Sequence, residues 1–465
     1  MIVAESYLAL LLVAALCACL VAGYPVAFTL AGVSILFAFL GAALGAFDLA
    51  LLYTLPSRIF GIFNNSTLTA VPLFVFMGSV LEKSGIAEDL LSAISDASRN
   101  VPGGLAFGVL LVGTLLAAST GIVGATVVTL SLLALPTLIR RGYPHDLASG
   151  TVAATGTLGQ LIPPSVALIL LADVMASSYQ QAQLQQGIFN LQTLSVGQLF
   201  MGALLPGLVL VGMYGLYLGI RMVRTPLDAD LPQGALAKNA IATIDLTGLM
   251  QSMLPPTVLI ILVLGSILAG IATPTEAAGV GAFGAVLLAL MRRKWNVAVW
   301  AGCSRSTLTT TSMVFTILIG ASVFSLVFRG LGGDALVEQL FTNIPGGTVA
   351  AIVLVMLVVF ILGFILDFIE ITYVVLPIVA PVILSLGVDP VWFAVMIAVN
   401  LQTSFLTPPF GFALFYMRSV APAEIQTPSI YKGVIPFIGI QLLLLVLLAL
   451  FPQIATWLPM QVYGN

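Results

Sequence analysis

Four short stretches of this sequence hold the residue types that could do chemistry, and each interrupts an apolar run. They are Ser119-Thr120-Gly121-Ile122-Val123-Gly124-Ala125-Thr126, Thr155-Gly156-Thr157-Leu158-Gly159-Gln160-Leu161-Ile162-Pro163-Pro164-Ser165, the segment Asp367 to Thr372, and Asn400-Leu401-Gln402-Thr403-Ser404-Phe405-Leu406-Thr407-Pro408-Pro409. A proline inside a helix removes a donor and frees the carbonyl four residues earlier. Pro163 and Pro164 therefore release carbonyls near Gly159 and Gln160, and Pro408 and Pro409 release those near Ser404 and Phe405. Freed carbonyls beside Ser, Thr and Asn oxygens make a hard, all-oxygen environment that suits a dehydrated Na+ ion, while half-helix N-termini offer donors and a positive dipole end to an anion. The competing reading is that Gly, Ser and Thr only let helices pack closely and Pro only kinks them. Four interruptions that pair by symmetry favour the site. Candidate cation ligands are Ser119, Gly156, Gly159, Asp367, Asn400, Thr403 and Thr407. Candidate substrate contacts are Ser119, Thr120, Thr157, Pro163, Pro164, Ser165, Thr403, Pro408 and Pro409.

Other chemistries find less support. The single histidine, His145, excludes a multi-His metal site, and Cys17, Cys19 and Cys303 lie in apolar surroundings without CxxC spacing, as small core hydrophobes do. Asp367 and Glu370 stand three apart and either bind a cation or fix the second tip by hydrogen bonds. A pair of acids is also what an intramembrane protease needs, but nothing in the other half mirrors them. Glu276, in Thr273-Pro274-Thr275-Glu276, reads as a helix start. Arg329 and Arg418 fall at segment ends, so an anion would rest on helix N-termini and bound Na+.

The elements that must position these residues follow from composition. Of 465 residues only 15 are Lys or Arg and 18 are Asp or Glu, so 7% are charged, against roughly 25% in a soluble domain. The apolar set makes up 60%, and the mean hydropathy is +1.16. This composition excludes a soluble enzyme and predicts an all-α polytopic membrane protein in a lipid bilayer. The net charge of -3 leaves no basic patch for nucleic acid. Met1 to Ala22 lacks a basic start and reads as a retained span. Segments of about 20 apolar residues predict full spans at Ser6–Ala22, Pro25–Phe47, Leu68–Leu81, Leu147–Asp173, Leu199–Ile220, Met253–Ile271, Ala277–Met291, Ser306–Phe328, Val391–Phe412 and Val434–Phe451. Basic residues mark cytoplasmic loops, here Arg140-Arg141, Arg221 with Arg224, and Arg292-Arg293-Lys294. The stretch from Ser177 to Gln198, polar without Lys or Arg, and Gly332 to Gly347 belong outside.

Arg99 and Arg140-Arg141 bracket the short runs Leu105–Ala118 and Val127–Leu138, each too short to cross. They predict a re-entrant hairpin (about 103–140) that enters from the cytoplasm. Val349–Phe364 and Ile371–Leu386 predict its mirror (about 348–386), entering from the periplasm. Two kinked spans in each place are the alternative. Sliding the halves by 245 positions sets Pro136 on Pro381, Gly142 on Gly387 and Pro163-Pro164 on Pro408-Pro409, and a slide of 247 sets Gly23 on Gly270. The expected organisation is therefore a first repeat (1–225) with a broken helix at about 147–173, a polar cytoplasmic connector (226–252) suited to an amphipathic surface helix, and a second, inverted repeat (253–465) with a broken helix at about 391–412. Inverted repeats with broken helices are a signature of secondary transporters.

Several motifs, spread in order over nearly the whole chain, resemble the large membrane subunit of tripartite ATP-independent periplasmic (TRAP) transporters, the DctM-like subunit. They are Val71-Pro72-Leu73-Phe74-Val75-Phe76-Met77-Gly78, the segment Gly156 to Ser165, Ala272-Thr273-Pro274-Thr275-Glu276-Ala277, Leu362-Gly363-Phe364-Ile365-Leu366-Asp367, and the segment Asn400 to Gly411. Many family members carry a Ser-Gly-Ser-like first tip, where this chain reads Ser119-Thr120-Gly121. The Leu-Gln-Thr-Ser-Phe-Leu-Thr-Pro-Pro-Phe-Gly variant looks like the mannitol/chloroaromatic subgroup, whose members appear with binding proteins for 2-oxo acids and other small carboxylates. The resemblance implies a Na+-driven elevator-type symporter, not an enzyme, in which a transport domain carrying both hairpins moves against a scaffold in the bacterial inner membrane. It implies a periplasmic solute-binding protein (P subunit), a separate small four-helix membrane subunit (Q subunit), a small carboxylate substrate, and no organic cofactor. A stand-alone anion transporter or exchanger of related architecture is the alternative.

Overall fold

In hydrocarbon each unpaired backbone group costs several kcal/mol, so an apolar chain must satisfy its hydrogen bonds within helices. The computed structural model describes residues 2–97, 103–224, 246–342 and 344–464, and all regular structure among them is helical. Seven of these helices are long and apolar enough to cross a membrane, among them Val26–Ala43, Val196–Val223, Pro274–Met291, Val297–Gly330 and Thr427–Leu450. The chain is an all-α polytopic membrane protein.

Some spans begin or end elsewhere than the hydropathy suggests. The segment expected at Leu68–Leu81 is a helix Ser66–Lys83 that follows another, Leu55–Phe63, across a bend of 51°. Asn65 starts the second of these, its Oδ1 accepting the N–H groups of Thr67 (2.9 Å) and Leu68 (3.4 Å) as an N-cap does. Val297–Gly330 has 34 residues, well beyond the apolar stretch Ser306–Phe328. Ile86–Ala97 and Gly333–Thr342, which fall outside the spans that hydropathy marks, are amphipathic helices. Ile86, Leu90, Leu91 and Ile94 are buried, the one-sided apolar stripe of a surface helix. Arg99 and most of the 226–252 connector lie outside the described residues; residues 246–252 already belong to the helix Leu246–Leu268.

The chain forms two compact units, each built from both halves of the sequence. The first comprises Met1–Thr69, Ile169–Val196 and Leu308–Ile397. Its core gathers Leu12, Leu30 and Ala38 with Phe324, Val327, Leu331 and Val374. The second comprises Ala70–Leu168, Gly197–Thr307 and Ala398–Asn465. At its centre is His145–Thr157, in which every residue from Leu147 onward is buried. Around it pack Gly104–Thr120, Val123–Leu133, Phe412–Val420 and Thr427–Leu450. The basic residues that set the expected topology also staple this unit. Arg141 donates to the Ser95 carbonyl (2.6 Å) and Oγ (2.8 Å), Lys294 and Arg292 pair with Asp89 (2.7 and 3.3 Å), and Arg221 with Asp146 (3.8 Å). Such half-exposed pairs are worth about 0–1 kcal/mol each, so they orient more than they stabilise.

Elements paired by the sequence offset share backbone geometry. In the first half, Gly104–Thr120 and Val123–Arg140 form two packed arms, Gly142 turns at φ 78°, and the helix His145–Thr157 leads to a cis Pro163-Pro164 bond. In the second, Gly347–Leu362 and Phe368–Ser385 form the arms, Gly387 turns at φ 82°, and Pro390–Leu406 leads to a cis Pro408-Pro409 bond. Gly23 and Gly270 likewise share positive φ, 87° and 68°. The second arms, Val123–Arg140 and Phe368–Ser385, have 18 residues each and are long and apolar enough to cross, where the hydropathy runs suggested segments too short to do so.

Glu276 is a cap, as its spacing suggests. Its Oε2 accepts the Thr273 N–H and hydroxyl, both at 2.8 Å, while Thr273 Oγ1 accepts the Glu276 N–H. Glu276→Ala removes the bonds to Thr273 and is therefore expected to lower the thermal unfolding midpoint of detergent-solubilised protein. An unchanged midpoint would refute the cap.

Candidate functional site

The first hairpin wraps the first Pro-Pro bend. The helix His145–Thr157 passes through a tight turn at Leu158–Gln160, breaks at Pro163-Pro164 and restarts as Val166–Gln185. Every residue of this bend is buried. Glycine makes the approach possible. A Cβ on Gly156 would lie 3.0 Å from the Val127 Cα on the second arm, one on Gly159 3.2 Å from the Ala117 carbonyl on the first arm, and one on the tip residue Gly121 2.6 Å from the Val166 N. The tip thus sits on the start of Val166–Gln185, where helical N–H groups have no intrahelical partner. Ser119 and Thr120 end the first arm; their side chains lie outside what is described.

Two of the four carbonyls that the prolines release are already engaged. Ser165 Oγ donates to the Gly159 carbonyl at 2.6 Å, and the Thr407 N–H donates to the Ser404 carbonyl at 3.1 Å. A serine placed just after the prolines reaches back to cap the bend, which assigns Ser165 a structural duty that the sequence does not reveal. Thr403 and Thr407 donate to the carbonyls four residues before them, Val399 and Thr403, both at 2.7 Å. Their hydroxyl lone pairs remain acceptors. Asn400, Gln402, Thr403 and Ser404 are buried, while Thr407 and Pro408 are partly exposed and Pro409 is exposed. The two bends are therefore unequal: the first is closed in and the second opens outward.

The bends meet. Gln402 Nε2 donates to Thr157 Oγ1 at 3.3 Å in a fully buried contact, and these two residues are 245 positions apart, the slide that superposes the halves. Three buried oxygens on the same two bends, Thr155 Oγ1, Gln160 Oε1 and Gln402 Oε1, have no hydrogen-bond partner. Buried polar atoms are nearly always satisfied, so these three are candidate ligands, although seven other such atoms lie elsewhere among the described residues. The second arm of the first hairpin also reaches the helix after the second bend, where a Cβ on Gly124 would lie 2.9 Å from the Tyr416 ring. Within one unit, then, the structure brings together Gly156, Thr157, Gly159, Pro163, Pro164, Ser165, Asn400, Thr403, Thr407, Pro408 and Pro409. Gln160 and Gln402 stand in the quoted motifs, and the 245-residue offset between Thr157 and Gln402 is the signal that could have singled them out.

Asp367 belongs to the other unit. It and Glu370 form a reciprocal capping box, Glu370 Oε2 accepting the Asp367 N–H at 2.9 Å, at the start of the second hairpin's second arm. Of the two roles open to these acids, fixing the tip is the one their hydrogen bonds perform, and an acid pair committed to backbone donors is not arranged as a shared catalytic dyad. A second membrane acid in this unit, Asp173, was passed over in the sequence. It accepts from Asn65 Nδ2 (2.7 Å) and from the Tyr373 hydroxyl (3.3 Å), joining the bent-helix start, Val166–Gln185 and the second hairpin. Among the described residues no group of three or more His, Cys, Asp or Glu is placed to hold a metal ion, so a cation here would rely on neutral oxygens.

Comparison with known proteins agrees in scale with this architecture. The family model described as "Tripartite ATP-independent periplasmic transporter, DctM component" matches residues 13–454. The C4-dicarboxylate TRAP transporter large permease protein DctM of Vibrio cholerae is 26% identical over 469 residues, covering 96% of this chain and 96% of that protein. The sialic acid permease SiaM of the same organism is 27% identical (95% and 96% covered), and the ectoine/5-hydroxyectoine permease UehC of Ruegeria pomeroyi is 26% identical (90% and 92% covered). Among solved structures, the YdaH transporter of Alcanivorax borkumensis superposes with a TM-score of 0.57 at 16% identity, covering 87% of this chain and 88% of that one. MtrF of Neisseria gonorrhoeae gives 0.54 at 14% identity (89% and 84% covered). At these identities the structural likeness speaks for the fold alone.

Proposed function

We propose, from the premise that this chain belongs to the DctM component family of tripartite ATP-independent periplasmic transporters, that it is the large transmembrane subunit of a Na+-coupled importer of a small organic acid. The substrate arrives from a periplasmic solute-binding protein, a separate small four-helix subunit completes the complex in the bacterial inner membrane, and the motion is of elevator type. The observation that carries the coupling is the meeting of the two Pro-Pro-broken helices through the buried contact of Thr157 with Gln402, with three unpaired oxygens beside it.

Each part of the site has a task in this reading. Neutral Thr, Gln and backbone oxygens hold a dehydrated monovalent cation, because removing its hydration shell demands replacement oxygens in a place water cannot reach. The bound Na+ and the N–H groups at the start of Val166–Gln185, against which the Gly121 tip closes, supply the positive potential that the absence of a mid-membrane Arg withholds. Substrate and ion then bind mutually, and that mutual dependence is the coupling. The relatives named for C4-dicarboxylate, sialic acid and ectoine are named for molecules with a carboxylate, and another of similar identity is named for isethionate, a sulfonate, which supports small organic acids as the class here. Both hairpins are re-entrant in this reading, one from each side.

The test is uptake into proteoliposomes holding this chain with its small subunit, given the cognate binding protein and a radiolabelled carboxylate. Uptake is expected to require an inward Na+ gradient and the binding protein together. Uptake that runs unchanged without the Na+ gradient would sink the coupling, and equal uptake without the binding protein would favour a stand-alone transporter or exchanger.

A further inference from the structure

Asp173 is the one acid in an otherwise apolar stretch, Val166 to Met175, and nothing at the Pro-Pro bends uses it. An acid in such a segment is costly and usually functional. Its hydrogen bonds come from two neutral donors, Asn65 Nδ2 to Oδ1 (2.7 Å) and the Tyr373 hydroxyl to Oδ2 (3.3 Å). Among the described residues no Lys or Arg pairs with it.

The two carboxylate oxygens are not equivalent. Asn65 has no freedom, because its Oδ1 accepts the N–H groups of Thr67 and Leu68, which fixes the amide and leaves Nδ2 to donate. Asp173 Oδ1 is thus a permanent acceptor. Tyr373 can change sides, since a phenol hydroxyl both donates and accepts, and its 3.3 Å contact is longer than the about 2.5–3.0 Å of a settled O–H···O bond. A proton arriving on Oδ2 needs only a rotation of the Tyr373 hydroxyl about its C–O bond, and no heavy atom moves. Tyr373 lies in the π-helical turn Ile371–Val375 of the second hairpin, a kind of turn that is frequent at functional sites. A hydrogen bond to a carboxylate is roughly twice as strong as one between neutral groups. The charge on Asp173 therefore decides how firmly its helix holds that turn.

A polar seam adjoins the pair. Ser177 and Gln181 follow Asp173 on the same face of its helix at one and two turns, and Pro377 follows Tyr373 by one turn. Arg329 donates to Gln181 Oε1 (2.8 Å) and to the Pro377 carbonyl (3.4 Å), and Gln186 Nε2 donates to the Ser385 carbonyl (2.6 Å) farther along. These groups give a proton a polar approach along an otherwise apolar helix. The charged and titratable groups on the surrounding elements are engaged elsewhere or stand apart. Arg329 also lies 3.6 Å from Asp334, Glu370 and Asp367 cap one another, Tyr179 donates to Gln192, and Arg58 is exposed. Arg305 precedes Arg329 on the helix Val297–Gly330 by about 36 Å.

We propose that Asp173 is a proton-binding site that takes the proton on Oδ2, and that its occupancy sets the grip on the second hairpin and with it the rate of transport. A proton fits better than a second Na+, because Oδ1 is committed and a dehydrated metal ion needs several oxygens in place of its hydration shell. The proton site stands on this geometry alone, and its effect on rate rests on the transport reading above.

Two measurements test it, each comparing the unaltered chain with Asp173→Asn, which has the shape of the neutral acid. In infrared spectra of the detergent-solubilised full chain between about pH 5 and about pH 9, the unaltered protein is expected to gain a protonated-carboxyl band on acidification that Asp173→Asn lacks. In proteoliposomes with a fixed Na+ gradient, equal pH on both sides and saturating binding protein, uptake by the unaltered complex is expected to change at least about threefold over that range, in line with the gap between charged and neutral hydrogen bonds. Asp173→Asn is expected to stay near the acid limit of the unaltered protein throughout. Tyr373→Phe is expected to keep the carboxyl band and lose the pH response of uptake, and it carries the test if Asp173→Asn does not fold. A pH difference spectrum shared by the unaltered protein and Asp173→Asn overturns the proton site. A carboxylate band that follows Na+ at constant pH overturns it in favour of a second Na+ site, and a pH response of uptake that survives in both variants overturns the grip on the hairpin. Failure of the transport reading looks different, because the unaltered protein then shows no Na+-dependent uptake while the Asp173 band still appears.

Discussion

Gln402→Leu is expected to cut Na+-dependent uptake at saturating binding protein by at least about tenfold, while the unfolding midpoint stays the same or rises. The two effects have separate causes. Gln402 gives one buried hydrogen bond, to Thr157 Oγ1, and keeps one amide oxygen buried and unpaired. A typical hydrogen bond contributes about 0.5–1.5 kcal/mol, and an unsatisfied buried acceptor costs about 1–3 kcal/mol. Replacing the amide with an apolar group of similar size removes both, so stability holds. If that oxygen exists to receive an ion, transport does not survive the exchange. Thr157→Val removes the other end of the bond and is expected to lose less. Parallel measurement of uptake and of thermal unfolding checks the pair. An active Leu variant would take the ion site away from Gln402, and an inactive but destabilised one would make the residue architectural.

Gly150→Val is expected to be the most damaging single change to the fold. Gly150 and Gly433 face each other where His145–Thr157 crosses Thr427–Leu450, and a Cβ on either would run into the backbone of the other helix, the Gly433 carbonyl in one case and the Asp146 carbonyl in the other. No side chain can rotate away to make room, and the central helix is buried throughout. Overpacking costs typically 1–3 kcal/mol and more where nothing yields, so a loss of about 3 kcal/mol or more is expected. It should be seen as a lowered unfolding midpoint and a poor monodisperse yield in detergent. Gly279→Ala is the control. It lies in Pro274–Met291 with no heavy atom within 4 Å of a new Cβ, and alanine is the better helix former by about 1 kcal/mol. Equal behaviour of the two variants would refute the tight crossing.

Much of this architecture could be read in one dimension, because a bilayer makes backbone geometry depend on local composition. Prolines at matching offsets announced both bends, and Gly142 with Gly387 marked the turns before them. What composition could not supply was partnership. Ser165, a candidate substrate contact, also caps the Gly159 carbonyl, a partner six residues away that composition does not name. Gly156 and Gly159 looked like ion ligands through their carbonyls, yet they are also where the hairpin backbone comes close, and a glycine looks the same in either duty. Asp173 was swallowed by an apolar run, and its partners Asn65 and Tyr373 are 108 and 200 residues away, distances at which no local pattern operates. The amphipathic helix Ile86–Ala97 escaped because a dozen residues with three acids fall well short of a span when only mean hydropathy is weighed.

The contact between Thr157 and Gln402 joins two positions that the sequence offset pairs. A residue that touches its own counterpart in the other half sits where the two halves exchange, and in a pair of separate half-length chains it would have faced an identical copy of itself across a two-fold axis. Two glutamines or two threonines can pair in that way, each giving and each accepting. Within one polypeptide the two positions need not be alike, and here one is a short hydroxyl and the other a long amide. The inequality between the closed first bend and the open second one is the kind of difference that an ancestor with identical halves could not have held, and a protein that moves cargo in one direction has use for it.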